Sequence, residues 1–168
     1  MGIRRLYLAY TMGTVLFCQN VQVRTVCSAL QDRDRLSGQL VVVRGVWVEN
    51  DEWAAVSGQS CNLRLNVGGV DWPVSIELVK SKRSATSAEV ESSLRSSFER
   101  ATSAIRAQRE AGKRGHVLAT FSGRLETIEL KGMRLADGTM VHFGFGHGGV
   151  FPARLIVHSV RDVVVQDR

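Results

Sequence analysis

The order of strand-like and helix-like segments is the feature that most constrains the fold of this chain. Three strand-like stretches come first, one long amphipathic helical pattern follows, and two further strands close the sequence. The clearest strand, residues 39–49, is β-branched and carries Gly45 in its middle, which predicts a bulge or the sharp bend of a small barrel. Five strands with a helix between the third and the fourth is the order of an OB-fold.

The remaining elements are predicted from the alternation of apolar and polar residues and from the turn residues between them. In chain order they are a short helix at 26–36, a second strand that begins at 52–57, bends at 58–60 and continues through 61–67, a third strand at 74–78, a fourth strand at 116–126, a loop-like segment at 131–137, a short hairpin arm at 139–145 and a last strand at 153–165.

The helical pattern at 87–111 is apolar on one side only, which predicts that the helix lies against a sheet. Thr86 and Glu89 fit a capping box at its start, and Gly112 is a natural stop. We therefore predict a mainly β protein with one long helix, namely a five-stranded OB-fold-like barrel with the helix between strands 3 and 4. An irregular α+β sandwich with the helix packed on one sheet is the alternative.

The chain length of 168 residues predicts a single OB-like domain at 26–168, preceded by a signal peptide or short membrane anchor at 1–25. Arg4 and Arg5 form a positive start, and the apolar stretch 6–18 that follows is shorter than the roughly 20 residues of a membrane-spanning helix. No small-x-small cleavage site follows. A lipid-modified Cys18, an apolar N-terminal strand and a start codon assigned too early are the alternatives.

The cysteine count also favours export. Of the three cysteines, Cys18 lies in the predicted leader, so Cys27 and Cys61 remain as a pair. An even number of cysteines in an exported protein predicts a disulfide, which by loop entropy contributes about 3–4 kcal/mol. Neither cysteine has the CxxC spacing of a zinc site. We expect a periplasmic or cell-envelope location.

The excess of basic over acidic residues has two interpretations. The net charge is +6 and the isoelectric point about 9.8, which suits an anionic partner. Much of the excess, however, lies between Lys80 and Arg114, in and around the predicted helix, where a charged face is usually just solvated. Nucleic acid is therefore an alternative partner and not the expected one.

Two blocks of motifs lie at the ends of the predicted domain. The opening block has a Cys-containing turn, a Gly and a "V-x-V-R-G" strand, followed by a second Cys; the closing block has Gly-His, a spacer, an aromatic-Pro pair and a strand. The residues that form them are Cys27, Leu30, Gly38, Val43, Arg44, Gly45 and Cys61, then Gly146, His147, Phe151, Pro152, Leu155 and Val160. In both blocks the chain resembles small exported bacterial proteins of unassigned function that have an OB-fold-like domain.

The resemblance implies the OB-like fold and the Cys27–Cys61 disulfide, but no known activity. OB domains elsewhere bind oligonucleotides or oligosaccharides through the face of strands 2 and 3 and the loops after strands 1 and 4. The long insertion at 81–112 departs from the helix-free versions of the pattern. It could cover a face that is otherwise open to ligand.

The first candidate site is His147, which lies in the predicted loop between strands 4 and 5. Its neighbours Gly146 and Gly148 would expose backbone amides able to cradle an anion. The alternative is that the glycines supply positive φ for a turn and His147 is structural. The histidines show neither HxH nor HExxH spacing, so a metal site is not expected.

The second candidate site is an aromatic and basic face on strands 1 to 3. Trp47 and Trp53, with Arg44 and Arg64 close in sequence, have the residue types that stack on and neutralise a bound chain. The alternative is that the tryptophans fill the barrel or its rim.

Together these observations predict an exported, non-enzymatic OB-like binding or structural domain of the cell envelope. Its partner would be an envelope protein, a glycan or a small ligand, with membrane contact only through the N-terminal segment. We expect no cofactor, because no nucleotide-binding glycine motif is present, and no enzyme, because no GxSxG elbow supports a catalytic serine. The alternatives are a nucleic-acid-binding OB domain and a hydrolase or metal-binding protein using His147.

Overall fold

The computed structural model describes residues 22–50, 52–59, 61–67, 69–80, 88–112 and 116–166. The predicted leader up to residue 21, with Cys18, and the capping residue Thr86 lie outside these ranges. In chain order the elements are β1 Val23–Thr25, α1 Val26–Gln31, α2 Arg33–Leu36, β2 Leu40–Glu49, β3 Ala54–Ser57, β4 Leu65–Val67, β5 Val70–Trp72, β6 Ser75–Lys80, α3 Ala88–Glu110, β7 His116–Thr127, β8 Lys131–Arg134, β9 Met140–Phe143, a 3₁₀ turn His147–Gly149, and β10 Ala153–Gln166.

Five strands close into a barrel, which confirms the prediction of a mainly β fold built on a five-stranded barrel. The hydrogen-bonded order is β2-β3-β6-β10-β7, and β7 pairs again with β2 to complete the ring. The pairing of β6 with β10 is parallel, whereas the other four pairings of the ring are antiparallel. This arrangement is consistent with an OB-like barrel.

The predicted second strand is shorter than the sequence pattern indicated. β3 ends at Ser57, and β4 pairs antiparallel with β5 in a separate two-stranded sheet. The burial of side chains does alternate in 61–67, but the strand in this segment pairs with β5 and not with the barrel. The disulfide joins the start of the segment, Cys61, to Cys27 of α1. A period of two residues identifies a strand but does not identify the strand with which it pairs.

The segment 131–137, predicted as loop, begins with strand β8. It pairs with β9 around the Asp137-Gly138 turn, so the predicted hairpin arm at 139–145 is only the second half of a hairpin. The described part of the chain thus contains ten strands and not five. The prediction placed α3 between the third and fourth of five strands, whereas in chain order it lies between β6 and β7, the sixth and seventh.

The barrel interior is filled by apolar side chains from every strand of the ring. Trp47 packs on Phe121 with ring centroids 5.2 Å apart, and α1 closes one end of the barrel with its buried residues. The fully buried side chains at the centre of this cluster include Val26, Leu30, Val43, Val56, Ile76, Phe121, Leu125, Leu155 and Val157.

Gly45 marks a close approach of backbones and not a bulge. It pairs with Ala119 in a continuous register between β2 and β7. A Cβ at Gly45 would lie 2.6 Å from both Val56 Cγ2 and Ser57 O, so only glycine fits where β2 bends over the core. The register shifts of the barrel occur instead in β10, between Val157 and Ser159 and between Arg161 and Val164.

The sheet begins before the predicted domain boundary at residue 26. Strand β1 pairs parallel with β2, with Val23 opposite Val42. Thr25 then caps α1, because its Oγ1 accepts the Ser28 backbone N–H at 3.1 Å. The first described residues are therefore already part of the folded domain. None of the described helices has both the length and the apolar character needed to cross a membrane.

The structure contains the Cys27–Cys61 disulfide, with a Cα–Cα distance of 6.0 Å and 34 residues of separation. It joins α1 to the loop that precedes β4, two segments that share no strand pairing. The disulfide is compatible with an oxidising, exported compartment.

Replacing both cysteines should therefore destabilise the domain. For a loop of this length we expect C27S/C61S to lower the free energy of unfolding by about 4 kcal/mol, since the unfolded chain regains the entropy that the crosslink removes. Urea unfolding followed by circular dichroism measures the loss. Reductant should bring the wild type to the stability of the variant and leave the variant unchanged; equal stabilities without reductant would contradict the prediction.

Candidate functional site

Two loops meet beside the barrel. The first joins β2 to β3, and Asn50 shapes it because its Oδ1 accepts the backbone N–H groups of Glu52 and Trp53 at 2.9 and 2.8 Å. This local turn places Glu52 at the tip and turns Trp53 back toward the barrel. Asp51 lies outside the described residues.

The second loop is the end of the long connection between β7 and β10. Phe145 and Phe151 exchange two backbone hydrogen bonds of 2.9 and 3.1 Å, and the Gly149 N–H donates to Gly146 O at 3.0 Å. These bonds close a small loop with His147 near its tip. We call residues 144–152 the histidine loop.

The histidine loop has three glycines with positive φ, namely Gly146, Gly148 and Gly149. Gly146 has φ 75° and ψ −174°, and a Cβ there would lie 2.6 Å from Phe151 Cδ2. Gly148 has φ 68°. These conformations strongly disfavour L side chains. The turn interpretation of Gly146 and Gly148 therefore accounts for both residues without a ligand.

The two loops contact each other through one pair of polar side chains. His147 Nε2 lies 3.7 Å from Glu52 Oε2, and the two side chains are 74% and 60% exposed. Beside them Trp53 packs edge-on against Phe151, with ring centroids 5.3 Å apart. The result is a polar rim of carboxylate and imidazole above an aromatic wall, in which Trp53 is half-buried and Phe151 is buried. We call Glu52, Trp53, His147 and Phe151 the rim cluster.

An ion-pair network lies below the histidine loop. Arg154 donates from Nε and Nη2 to Glu126 Oε2 at 3.0 and 2.6 Å, and its guanidinium lies 4.6 Å from the Phe145 ring centroid. Arg124 adds a further bond to Glu126 at 2.7 Å. The network connects β7 and β10 to the histidine loop.

Glu77 belongs to the same region. It lies opposite Arg154 in the parallel pairing of β6 with β10, and a Cβ on Gly146 would be 3.1 Å from its Oε1. Burial raises the pKa of this half-buried carboxyl, and the charge of Arg154 offsets part of that rise. The loop therefore covers a carboxylate that would be better hydrated without it.

The sequence did not point to Glu77, Glu126, Phe145 or Arg154. Arg154 and Glu126 are 28 residues apart, and the register that makes them neighbours exists only in the folded sheet. The one usable signal was the basic residue Arg154 directly before the apolar run 155–157 at the start of the last strand.

The predicted aromatic and basic face is not formed. Trp47 is 3% exposed and fills the barrel against Phe121, whereas Arg44 lies on the outer side of β2 and donates to Thr120 Oγ1 at 3.0 Å. Alternate residues of a strand point to opposite sides, and positions 44 and 47 differ by an odd number. Arg64 is exposed in the loop before β4. Of the predicted binding residues, the structure brings together only Trp53 and His147, together with Gly146 and Gly148 on either side of His147.

The rim cluster is suited to holding a polar ligand that has an apolar face. It offers a carboxylate, an imidazole and an aromatic edge within one small area. No group of three or more His, Cys, Asp or Glu side chains that could hold a metal ion is found among the residues that the structure describes.

Comparison with known proteins returned no match: no protein-family model, no curated protein and no solved structure is similar to this chain. The resemblance to small exported proteins therefore stays a prediction.

A pair of glycine substitutions tests whether the histidine loop needs its backbone shape. Gly146→Ala should lower the free energy of unfolding by about 2–3 kcal/mol, because it adds a clash with Phe151 to an unfavourable φ. Gly138→Ala is the matched control. Gly138 also has positive φ, 86°, but no atom within 4 Å of the added Cβ, so about 1 kcal/mol is expected. Equal losses in thermal unfolding would contradict the assignment.

The raised pKa of Glu77 predicts a particular pH dependence. Because the folded pKa lies above the ordinary value of 4.5, the ionised carboxylate costs stability, and this cost grows as pH rises from about that value through the folded pKa. The stability of Glu77→Gln relative to wild type should therefore increase over the same window. Glu126→Gln is the control and should lose about 1–2 kcal/mol at neutral pH, since Arg154 loses its charged partner. Urea unfolding between pH 4 and pH 8 measures both; a flat difference for Glu77→Gln would refute the prediction.

Proposed function

We propose that this protein is an exported, non-enzymatic OB-like domain that binds a ligand at the rim cluster. The barrel supports the OB-like assignment through its closed order and the parallel pairing of β6 with β10. Counted within the ring alone, the strands β2, β3, β6, β7 and β10 are the five strands of that fold.

One observation carries the proposal. The contact between Glu52 and His147 joins the loop after the first strand of the ring to the loop before the last. These are the two loops through which OB domains bind oligonucleotides and oligosaccharides. The two loops that bind ligands in other OB domains are thus the loops that carry the exposed imidazole of His147 and the half-buried indole of Trp53.

Binding is favoured over catalysis because both polar side chains of the rim are mostly exposed. Catalytic acids and bases are usually activated by burial or by close charges, which shift their pKa values. An exposed carboxylate and imidazole next to an aromatic wall instead resemble a surface on which a ligand rests.

The ligand class that fits best is an envelope glycan. The aromatic wall of Trp53 offers a surface for the apolar face of a sugar, while Glu52 and His147 can exchange hydrogen bonds with its hydroxyls. The Cys27–Cys61 disulfide supports an oxidising compartment, where glycans are abundant and nucleic acids are not expected.

The experiment is a titration of the protein with an array of soluble oligosaccharides, followed by tryptophan fluorescence. Trp47 and Trp72 are 3% and 4% exposed, so a change on binding reports mainly on Trp53. Isothermal titration calorimetry measures the affinities of the variants, because Trp53→Ala removes the fluorescent reporter. Trp53→Ala and His147→Ala should each weaken binding about tenfold or more. His158→Ala replaces an exposed histidine on β10 and should leave the affinity unchanged.

Two outcomes would replace the proposal. Saturable glycan binding with the same affinity in Trp53→Ala and His147→Ala would place the site elsewhere. Salt-sensitive binding of a single-stranded oligonucleotide, reduced by R106A/R109A but not by Trp53→Ala, would favour the nucleic-acid alternative. In that case the ligand surface would be the groove of about 190 Å³ between α3 and the end of β2, which is lined by both Arg106 and Arg109.

A further inference from the structure

A second buried layer lies outside the barrel. Its apolar side chains are 1–5% exposed, yet none of them belongs to the cluster that fills the barrel interior; they are Ala55, Val70, Trp72, Leu130 and Phe151. Val70 and Trp72 lie in β5, whereas Leu130 and Phe151 lie in the connection between β7 and β10. Segments outside the ring therefore form a packed layer of their own, which Ala55 of the ring joins.

Ala55 shows where this layer meets the ring. Its neighbour Val56 points into the barrel core, so Ala55 faces outward, together with its cross-strand partner Glu77 of β6. A Cβ at Gly146 would lie 3.1 Å from Glu77 Oε1 and 2.6 Å from Phe151 Cδ2. The histidine loop therefore lies over the outer face of the ring where β3 pairs with β6.

Contacts at both ends hold the histidine loop against this face. At its start, a Cβ at Gly144 would lie 2.6 Å from Trp72 Cζ3. The Arg154 guanidinium lies 4.6 Å from the ring centroid of the next loop residue, Phe145. Near the end of the loop, Phe151 is 3% exposed. The cover is therefore part of the packed fold, and the strand face beneath it is not free to receive a ligand.

Other OB domains use this face for extended ligands. They bind oligonucleotides or oligosaccharides across strands 2 and 3, which correspond in the ring to β3 and β6. A long ligand gains affinity by stacking on successive aromatic side chains. The outer positions of β3 and β6 carry no aromatic side chain; they are Ala55, Ser57, Ser75, Glu77 and Val79. The face is therefore both covered at Glu77 and without stacking partners.

The rim cluster is the part of the ligand region that stays exposed. Glu52 and His147 are 60% and 74% exposed, and Trp53 is half-buried, whereas the other two tryptophans are buried. One indole can stack on one sugar ring, and two polar groups 3.7 Å apart reach hydroxyls of that ring or of the next. We propose that the rim cluster holds only about one or two sugar units of a glycan, because the histidine loop covers the strand face on which further units would lie.

The length limit rests on the glycan site proposed above, to which it adds the size of the ligand. The two can fail separately, since a glycan that binds at Trp53 either continues over β3 and β6 or does not. The experiment therefore detects glycan binding first and then measures how the affinity depends on glycan length.

Two length series of soluble oligosaccharides provide the measurement, namely glucose oligomers and N-acetylglucosamine oligomers of one to six units. Isothermal titration calorimetry on the full chain gives affinity and stoichiometry together. We expect the affinity to increase up to two units and then to change by less than about twofold up to six, counted per position that a longer oligomer offers. We also expect a hexamer to bind more than one protein molecule, because most of its units remain free.

Two substitutions on β6 test the strand face directly. S75Y and V79Y add a ring to the outer side of β6 on either side of Glu77, at positions that are half-buried in the wild type. Each should leave the hexamer affinity within about twofold of wild type, whereas His147→Ala should weaken the binding of every length by the same factor. Circular dichroism confirms that each variant is folded, and the length series on the wild type needs no variant.

Three results would overturn the proposal. In the first, affinity rises steadily from two to six units and one protein binds each hexamer, which would place an extended ligand on the strand face. In the second, S75Y or V79Y changes the hexamer affinity about tenfold in either direction but not the dimer affinity. In the third, no oligomer of either series binds, which would remove the glycan site itself and the length limit with it.

Discussion

The pairing of β7 with β2 is the constraint on which the rest of the structure depends. It runs from Leu40 opposite Arg124 to Trp47 opposite Val117, and it converts a sheet with two open edges into a closed ring. Closure requires strong curvature, and Gly45 and Gly123 permit it, since a Cβ at either would meet the next strand or the core. The apolar core side chains are buried because this ring is complete.

Closure also decides where the loops lie. Strand β10 pairs in parallel with β6, and the histidine loop leads directly into β10. The loop therefore lies next to β6, where a Cβ at Gly146 would be 3.1 Å from Glu77 Oε1. Arg154 and Glu126 then hold this loop through the Phe145 ring. The rim cluster is thus a consequence of barrel topology. The ion pair of Arg154 with Glu126 contacts the histidine loop at Phe145 and takes no part in the contact between Glu52 and His147.

The same topology accounts for the exposed apolar side of the hairpin formed by β8 and β9, which carries Met133, Leu135 and Phe143. The long connection between β7 and β10 folds as a hairpin of its own, and its inner side is fixed by Gly132 on Val70 and by His142 on Trp72. Successive side chains of a strand point to opposite faces, so packing one face of the hairpin on the domain determines which side chains lie on the other face. The hairpin and the histidine loop therefore belong to one connection, with Phe143 next to the first residue of the histidine loop.

Local patterns in the sequence were sufficient for the β-rich class, the strand that contains Gly45, the disulfide and the glycine-rich turn at His147. Each of these features follows from the backbone preference of single residues or from the number of cysteines, and none requires knowledge of which strands pair. The pairing of β4 with β5, the burial of Trp47 against the exposure of Trp53, and the placement of Arg154 under Phe145 depended on the tertiary structure. These features are set by register and by which side of a strand faces the core, and a shift of one residue would reverse them. The sequence thus showed that His147 lies in a glycine-shaped turn, but only the closed barrel brought Glu52 and Trp53 beside it.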